Sequence, residues 1–136
     1  MILVDTGVLL AAVNSKDQHH RESADLLDAH VGQLVTPATV VAETSWMIES
    51  LVGPAAKAAF VSSVAEGQLG VEGLGADDYR RCAALMEQYA DLGLGLVDAS
   101  VVTIAERLNL TTVATLNQRD FRVVRPRHCE AFELVP

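Results

Sequence analysis

Apolar residues fall in this chain as short, dense runs separated by longer stretches with helical periodicity. Met1 to Val4 is a short apolar run read as a buried strand, and Gly7 to Val13 continues apolar as a first helix. Asn14 to Gln18 is a polar break. Arg21 to His30 carries an apolar stripe through Ala24, Leu27 and Val31 with acids between, the pattern of an amphipathic helix. Gln33 to Val35 is a second strand. Thr36-Pro37 then offers a hydroxyl cap and a proline at the first helical position of a helix running to about Ser50, where Gly53-Pro54 stops the pattern. Ala55 to Glu66 is a further helix, Gln68 to Gly73 a third strand, and Ala76 to Tyr89 a helix with Asp77 and Asp78 in its first turn, where the helix dipole favours acid. A glycine-broken stretch, Leu92 to Val97, leads to Asp98 and a helix from Ala99 to Leu108. Thr111 to Leu116 is the clearest strand, β-branched and apolar, and Ala131 to Val135 reads as a final edge strand. Helices alternating with short apolar strands predict an α/β domain whose central, mainly parallel sheet is flanked by helices.

The chain has 136 residues, of which 50% are hydrophobic but only 4% aromatic. That length suits a single domain, residues 1–136, whose core is filled by Val, Leu, Ile and Ala, as buried parallel strands prefer. The formal charge of −8 argues against a protein that coats nucleic-acid phosphates. Cys82 and Cys129 stand far apart with no CxxC or His-rich metal spacing, and read as reduced packing residues. No apolar run approaches the ~18 residues of a membrane span, and the start lacks a basic signal-peptide region. The expectation is a cytoplasmic protein with no membrane partner.

Position, more than number, makes three acids informative. Asp5 sits in Ile2-Leu3-Val4-Asp5-Thr6-Gly7-Val8, Glu43 in Val40-Val41-Ala42-Glu43-Thr44-Ser45-Trp46, and Asp98 in Leu96-Val97-Asp98-Ala99-Ser100-Val101-Val102. Burying a lone carboxylate costs several kcal/mol, so such acids are paired, capped or gathered around a cation. In an open parallel sheet the carboxyl ends of the strands face one crevice where ligands bind. Asp5 ends the first strand, Glu43 lies on the helix after the second, and Asp98 opens a helix after an apolar run. Gathered there they would repel one another unless a divalent cation neutralised them, and carboxylates with water suit Mg²⁺ or Mn²⁺. The blander alternatives stay open for each: Asp5 as a turn cap, Asp98 as a helix cap, Glu43 paired with an arginine.

Taken with Val4-Asp5-Thr6-Gly7, Val41-Ala42-Glu43-Thr44, Gly95-Leu96-Val97-Asp98-Ala99-Ser100 and Ala114-Thr115-Leu116-Asn117-Gln118-Arg119-Asp120-Phe121, the chain resembles the PIN-domain family over nearly its whole length. Within that family it is similar to the VapC-type ribonuclease toxins of bacterial toxin–antitoxin pairs. The resemblance implies a PIN-like sandwich and an acidic pocket holding Mg²⁺ or Mn²⁺, with hydrolysis of RNA to a 3′-hydroxyl and a 5′-phosphate. It makes Asp5 and Asp98 metal ligands and gives Glu43 the attacking water, with hydroxyl support from Thr6 and Thr115. It also implies a VapB-type antitoxin as partner, and a homodimer. Relatives often carry Asp where this chain has Asn117, which leaves Asp120 as the nearest candidate for a fourth acid.

Arg119, Arg122, Arg125 and Arg127 crowd into one short segment after the last motif. They form either a solvated basic edge or a rim that grips RNA phosphates. His19 and His20 read as surface histidines in a polar break, and Trp46 and Met47 as core or interface residues in preference to base-stacking ones. Rival phosphoryl-transfer enzymes fit poorly. A haloacid-dehalogenase-type phosphatase needs a second Asp where Gly7 stands, a receiver domain needs an acidic pair and a late lysine, and no P-loop or GxGxxG occurs. The alternative from another class is a catalytically weak PIN-like module that acts through its partner.

Overall fold

The computed structural model describes residues 1–136. Five short strands, β1 (Ile2–Val4), β2 (Leu34–Pro37), β3 (Leu69–Glu72), β4 (Thr112–Ala114) and β5 (Glu133–Val135), form one sheet in the order β3-β2-β1-β4-β5. Every pairing is parallel, so the sheet is wholly rather than mainly parallel. Seven α-helices cross between the strands: α1 (Thr6–Val13), α2 (His20–Ala29), α3 (Ala38–Leu51), α4 (Pro54–Ala65), α5 (Ala76–Gln88), α6 (Leu96–Leu108) and α7 (Gln118–Val123).

The central strands β1 and β2 are buried along their whole length, the first because it is wholly apolar and the second because its one polar side chain, Thr36, is hydrogen-bonded within the sheet. Edge strand β3 is half exposed and β5 partly so. Against the sheet lies α6, in which Ala99 to Ala105 are all buried. Its polar members are satisfied locally: Ser100 Oγ donates to the Val97 carbonyl and Thr103 Oγ1 to that of Ala99. Leu3, Val4, Val8, Val40, Ile48, Val101, Ile104 and Val113 build a core with no solvent exposure at these positions. Each such side chain contributes roughly 1.5–3 kcal/mol of burial.

Three details depart from the sequence pattern. Thr36 does not cap α3. β2 runs on through Pro37, the helix starts at Ala38, and the Thr36 hydroxyl donates across the sheet to the Val4 carbonyl at 2.6 Å. The helix bearing Asp98 begins earlier than expected, at Leu96 rather than Ala99, so Asp98 lies inside its first turn, where helix N–H groups stabilise anions. The arginine-rich segment contains helix α7, too short and too polar to show periodicity.

The chain order places a switch point at the middle of the sheet. After β1 it moves to β2 and β3 on one side, then returns to β4 and β5 on the other. Crossovers leaving in opposite directions open a crevice at the carboxyl end of β1, between α1 and the segment after β4.

Candidate active site

Asp5 is the first residue past β1 and the N-cap of α1. Its carboxylate is fixed at both oxygens: the Thr6 N–H donates to Oδ1 and the Thr115 hydroxyl to Oδ2, each at 2.8 Å. Thr115 follows β4 directly, and its Oγ1 also accepts the Asn117 N–H at 3.0 Å. One buried hydroxyl thus ties the end of β1 to the turn after β4. Asp5 is only 5% exposed, and burial pushes its carboxyl above the usual carboxylate range, with the charge of Glu43 adding to the rise and the Thr6 and Thr115 hydrogen bonds opposing it.

Asp98, in the first turn of α6, faces Asp5 across a cleft of about 400 Å³ lined by Asp5, Thr6, Glu43, Asp98, Asn117 and an apolar floor that includes Leu10, Met47 and Leu116. Desolvation, then the charges of Asp5, Asp120 and Glu43, push the Asp98 carboxyl up to about 7. Asn117 turns its NH₂ toward the acids, donating to Asp120 Oδ2 at 3.1 Å and making a long contact of 3.5 Å with Asp98 Oδ2. Asn117 is therefore a neutral tether between two carboxylates in this arrangement. Asp120 stands behind it, near enough to raise Asp98 but outside the cleft wall. Glu43 projects from α3, whose register is fixed by the Thr39 hydroxyl reaching Ser100 of α6 at 2.5 Å.

None of Asp5, Glu43, Asp98 or Asp120 enters an ion pair, whereas other acids do: Glu106 is held by Arg81 and Asp78 by Arg107. Capping accounts for Asp5 in part, but pairing accounts for none of the four. The Thr6 hydroxyl, on the cleft wall, is buried with no hydrogen-bond partner. No three acids are drawn together tightly enough to form a ready-made metal centre. That openness fits Mg²⁺, which keeps several of its waters and takes one or two carboxylates. Oxygen-only donors, repelling charges and an orphan hydroxyl are the features a hydrated divalent cation would satisfy.

The arginines divide. Arg122 Nη2 donates to Gln118 Oε1, and Arg125 Nη1 to the carbonyls of Arg122 and Val124, so both guanidinium groups are engaged around α7. Arg119 is exposed, enters no ion pair, and lines a recess of about 280 Å³ with His19, Glu22, Gln118 and Leu116; Leu116 is also a wall of the carboxylate cleft. His19 contacts Glu22 at 2.6 Å, while His20 begins α2 and bonds the Ala11 carbonyl. Met47 belongs to the cleft floor. Trp46 is not a core residue; it is 68% exposed, because the core-facing stripe of α3 runs through Val40, Thr44 and Ile48. A separate apolar recess lined by Leu9, Leu27, Phe60 and Val64 lies away from the acids and holds none of this chemistry.

The sequence profile of the PIN domain matches residues 2–125. The chain belongs to the PIN-domain family. Among PIN proteins it is similar to the ribonuclease VapC26 of Mycobacterium tuberculosis, with 29% identity over 135 residues, 99% of this chain and all of that protein. In fold it is similar to M. tuberculosis VapC20, described as a sarcin-ricin-loop-cleaving toxin, at a TM-score of 0.77 and 21% identity over 83% of this chain and 87% of that one. It also matches VapBC2 of Rickettsia felis, solved on a DNA fragment from its promoter, at a TM-score of 0.72 and 17% identity over 100% of both chains. The all-parallel five-stranded sheet flanked by helices is the PIN fold that such structures share.

Proposed function

We propose that this chain is a Mg²⁺- or Mn²⁺-dependent endoribonuclease, the toxin of a toxin–antitoxin pair. The observation that carries the reading is the convergence of Asp5, Glu43, Asp98 and, behind Asn117, Asp120 at the switch point of the sheet without a single cationic partner. The kinship to VapC26 and the fold shared with VapC20 supply the substrate class.

Asp5 and Asp98 are the residues that would hold the cation, Asp5 oriented by Thr6 and Thr115 and Asp98 by its place in the first turn of α6. When bound, the cation polarises a phosphoryl oxygen and acidifies water. Glu43 holds the attacking water and takes its proton as the water oxygen bonds to phosphorus. The P–O3′ bond breaks in line, and the departing oxygen takes a proton from solvent. The products are a 3′-hydroxyl and a 5′-phosphate. Asn117 keeps Asp98 and Asp120 apart, and Asp120 supplies outer negative charge. Arg119, the arginine with a free guanidinium beside the cleft, receives a flanking phosphate; Arg122 and Arg125 hold the end of α7 instead.

A VapB-type antitoxin is the partner this site invites, since an inserted arginine would satisfy the unpaired carboxylates. A homodimer would place two Arg119 rims on one RNA. The deciding assay incubates purified protein and its Asp98→Asn variant with RNA, in Mg²⁺ or Mn²⁺ and in EDTA. Cleavage should require the metal and vanish in the variant. Wild-type rates in Asp98→Asn, or undiminished cutting in EDTA, would overturn the assignment. A chain silent toward RNA that still captures the product of the neighbouring gene would instead be a binding module.

A further inference from the structure

The α3 face that carries Glu43 extends beyond the carboxylates to a residue with no structural employment. Thr39, Glu43 and Trp46 follow at spacings of four and three, so they share one face of α3. Thr39 fixes that face toward α6 through Ser100, two residues from Asp98, and Glu43 and Met47 line the cleft itself. Trp46 is the only tryptophan in the chain and leaves 68% of its surface in water, one helical turn from Glu43. It packs into no core, and no aromatic or cationic neighbour pairs with its ring.

We propose that Trp46 is a stacking platform for a nucleobase of the RNA beside the bond that is cut, an inference that rests on the ribonuclease reading above. The electrostatics ask for such a group. The chain carries a net charge of −8 and its cleft is acidic, so charge alone holds a polyanion poorly on this side. The one free cationic side chain beside the cleft, Arg119, follows β4, whereas α3 follows β2 on the far side of β1. RNA gripped by Arg119 would cross the carboxylates and arrive at the Thr39–Glu43–Trp46 face of α3, which carries no cation of its own; Lys57 is paired with Glu49, and Lys16 lies beside Leu51 at the far end of the helix. A flat neutral ring holds a base through its π-face, which every base has, and does so without opposing the acidic field. Trp46 therefore secures the strand on the α3 side of the cut, and Arg119 does so on the α7 side.

Because Trp46 is the sole tryptophan, intrinsic fluorescence reports this contact directly. Metal-free Asp98→Asn protein in EDTA is titrated with end-labelled single-stranded RNA and with an abasic chain of equal length, and label anisotropy and tryptophan emission are recorded together. RNA should change the emission in step with the anisotropy, and the abasic chain should bind more weakly and leave the emission unaltered. In this background Trp46→Ala should weaken RNA binding by roughly 5- to 150-fold, with Trp46→Phe recovering most of the loss. With wild-type protein and Mg²⁺, Trp46→Ala should raise KM far more than it lowers kcat. RNA binding by anisotropy with unchanged emission overturns the platform and leaves the nuclease reading standing. Absence of RNA binding overturns the platform, and the nuclease reading falls with it only if the wild type also fails to cut RNA in Mg²⁺ or Mn²⁺. Emission that follows protein concentration, with dissociation of the oligomer in Trp46→Ala by sedimentation, assigns the ring to a contact between copies and also overturns the proposal.

Discussion

Replacing Asp98 by asparagine should make the metal-free protein more stable while destroying its activity. With its carboxyl at about 7 against an ordinary value of 3.8, Asp98 binds its proton more tightly in the folded chain than in the unfolded one. The folded state therefore holds the extra proton between pH about 4 and 7. Stability is greatest below that window, falls as pH rises through it, and levels off above. At ~1.36 kcal/mol per pKa unit, a rise of about three units sets a ceiling of about 4 kcal/mol. Asp98 is only partly buried, so solvent screening reduces this to about 1–2 kcal/mol. At pH 8 in EDTA, Asp98→Asn should raise Tm by roughly 4–8 °C, at about 4 °C per kcal/mol for a chain of this size. At pH 5, where Asp98 is largely protonated, the gap should nearly close. Circular-dichroism melts of both proteins at the two pH values provide the test. A residual slope in the variant is expected from Asp5, whose pKa is also raised. Adding Mg²⁺ at pH 8 should stabilise the wild type more than the variant. An equal Tm gap at both pH values, or a variant less stable at pH 8, would refute the claim that the desolvation and repulsion of Asp98 in this cleft are uncompensated.

Thr115→Val removes the donor to Asp5 Oδ2, which should cost about 1–3 kcal/mol in urea unfolding and move the acid limb of the cleavage pH profile upward, since the lost bond lowers the Asp5 pKa. Asp120→Ala should reduce cleavage less than Asp98→Asn and flatten the pH dependence of apo stability, because its charge is one of the three that raise Asp98; unchanged Mn²⁺ affinity by calorimetry would mean Asn117 completes the site without it. Arg81→Met leaves the half-buried Glu106 with only the Arg127 N–H and should cost about 1–3 kcal/mol by denaturant titration, whereas Arg81→Met with Glu106→Leu should recover most of that loss.

The apolar stretches in which they fall single out Asp5, Glu43 and Asp98 in the bare sequence, because burial without a partner is costly wherever it occurs. The same criterion would also flag Glu106, which follows Ile104-Ala105. The fold places it in a bidentate pair with Arg81, where it additionally accepts the Arg127 N–H. A sequence shows that an acid is drawn inward but not which cation meets it there. Asp120 is less visible because it lies in polar α7, and its direction depends on a single Asn117 side chain. Strand order is hidden for a related reason: helix and strand periodicities are local, whereas the position of β1 between β2 and β4 is set by packing across the whole chain. Thr36 illustrates the competition. It has the chemistry of a helix cap, yet a cross-sheet carbonyl claims its hydroxyl.

The hydrogen bond between Thr115 and Asp5 joins residues 110 positions apart, and β1 has one of its two neighbours in β4. During synthesis, β1, β2 and the helices between them leave the ribosome long before β4, so the first strand waits with one edge open. The second hold on its carboxylate, at Oδ2, and the Leu116–Asn117 wall of the cleft form only once residues 112–120 have emerged. The cleft that sets Asp5 against Asp98 is therefore a late product of folding, and the mutual repulsion of its acids arises only when that last wall is in place.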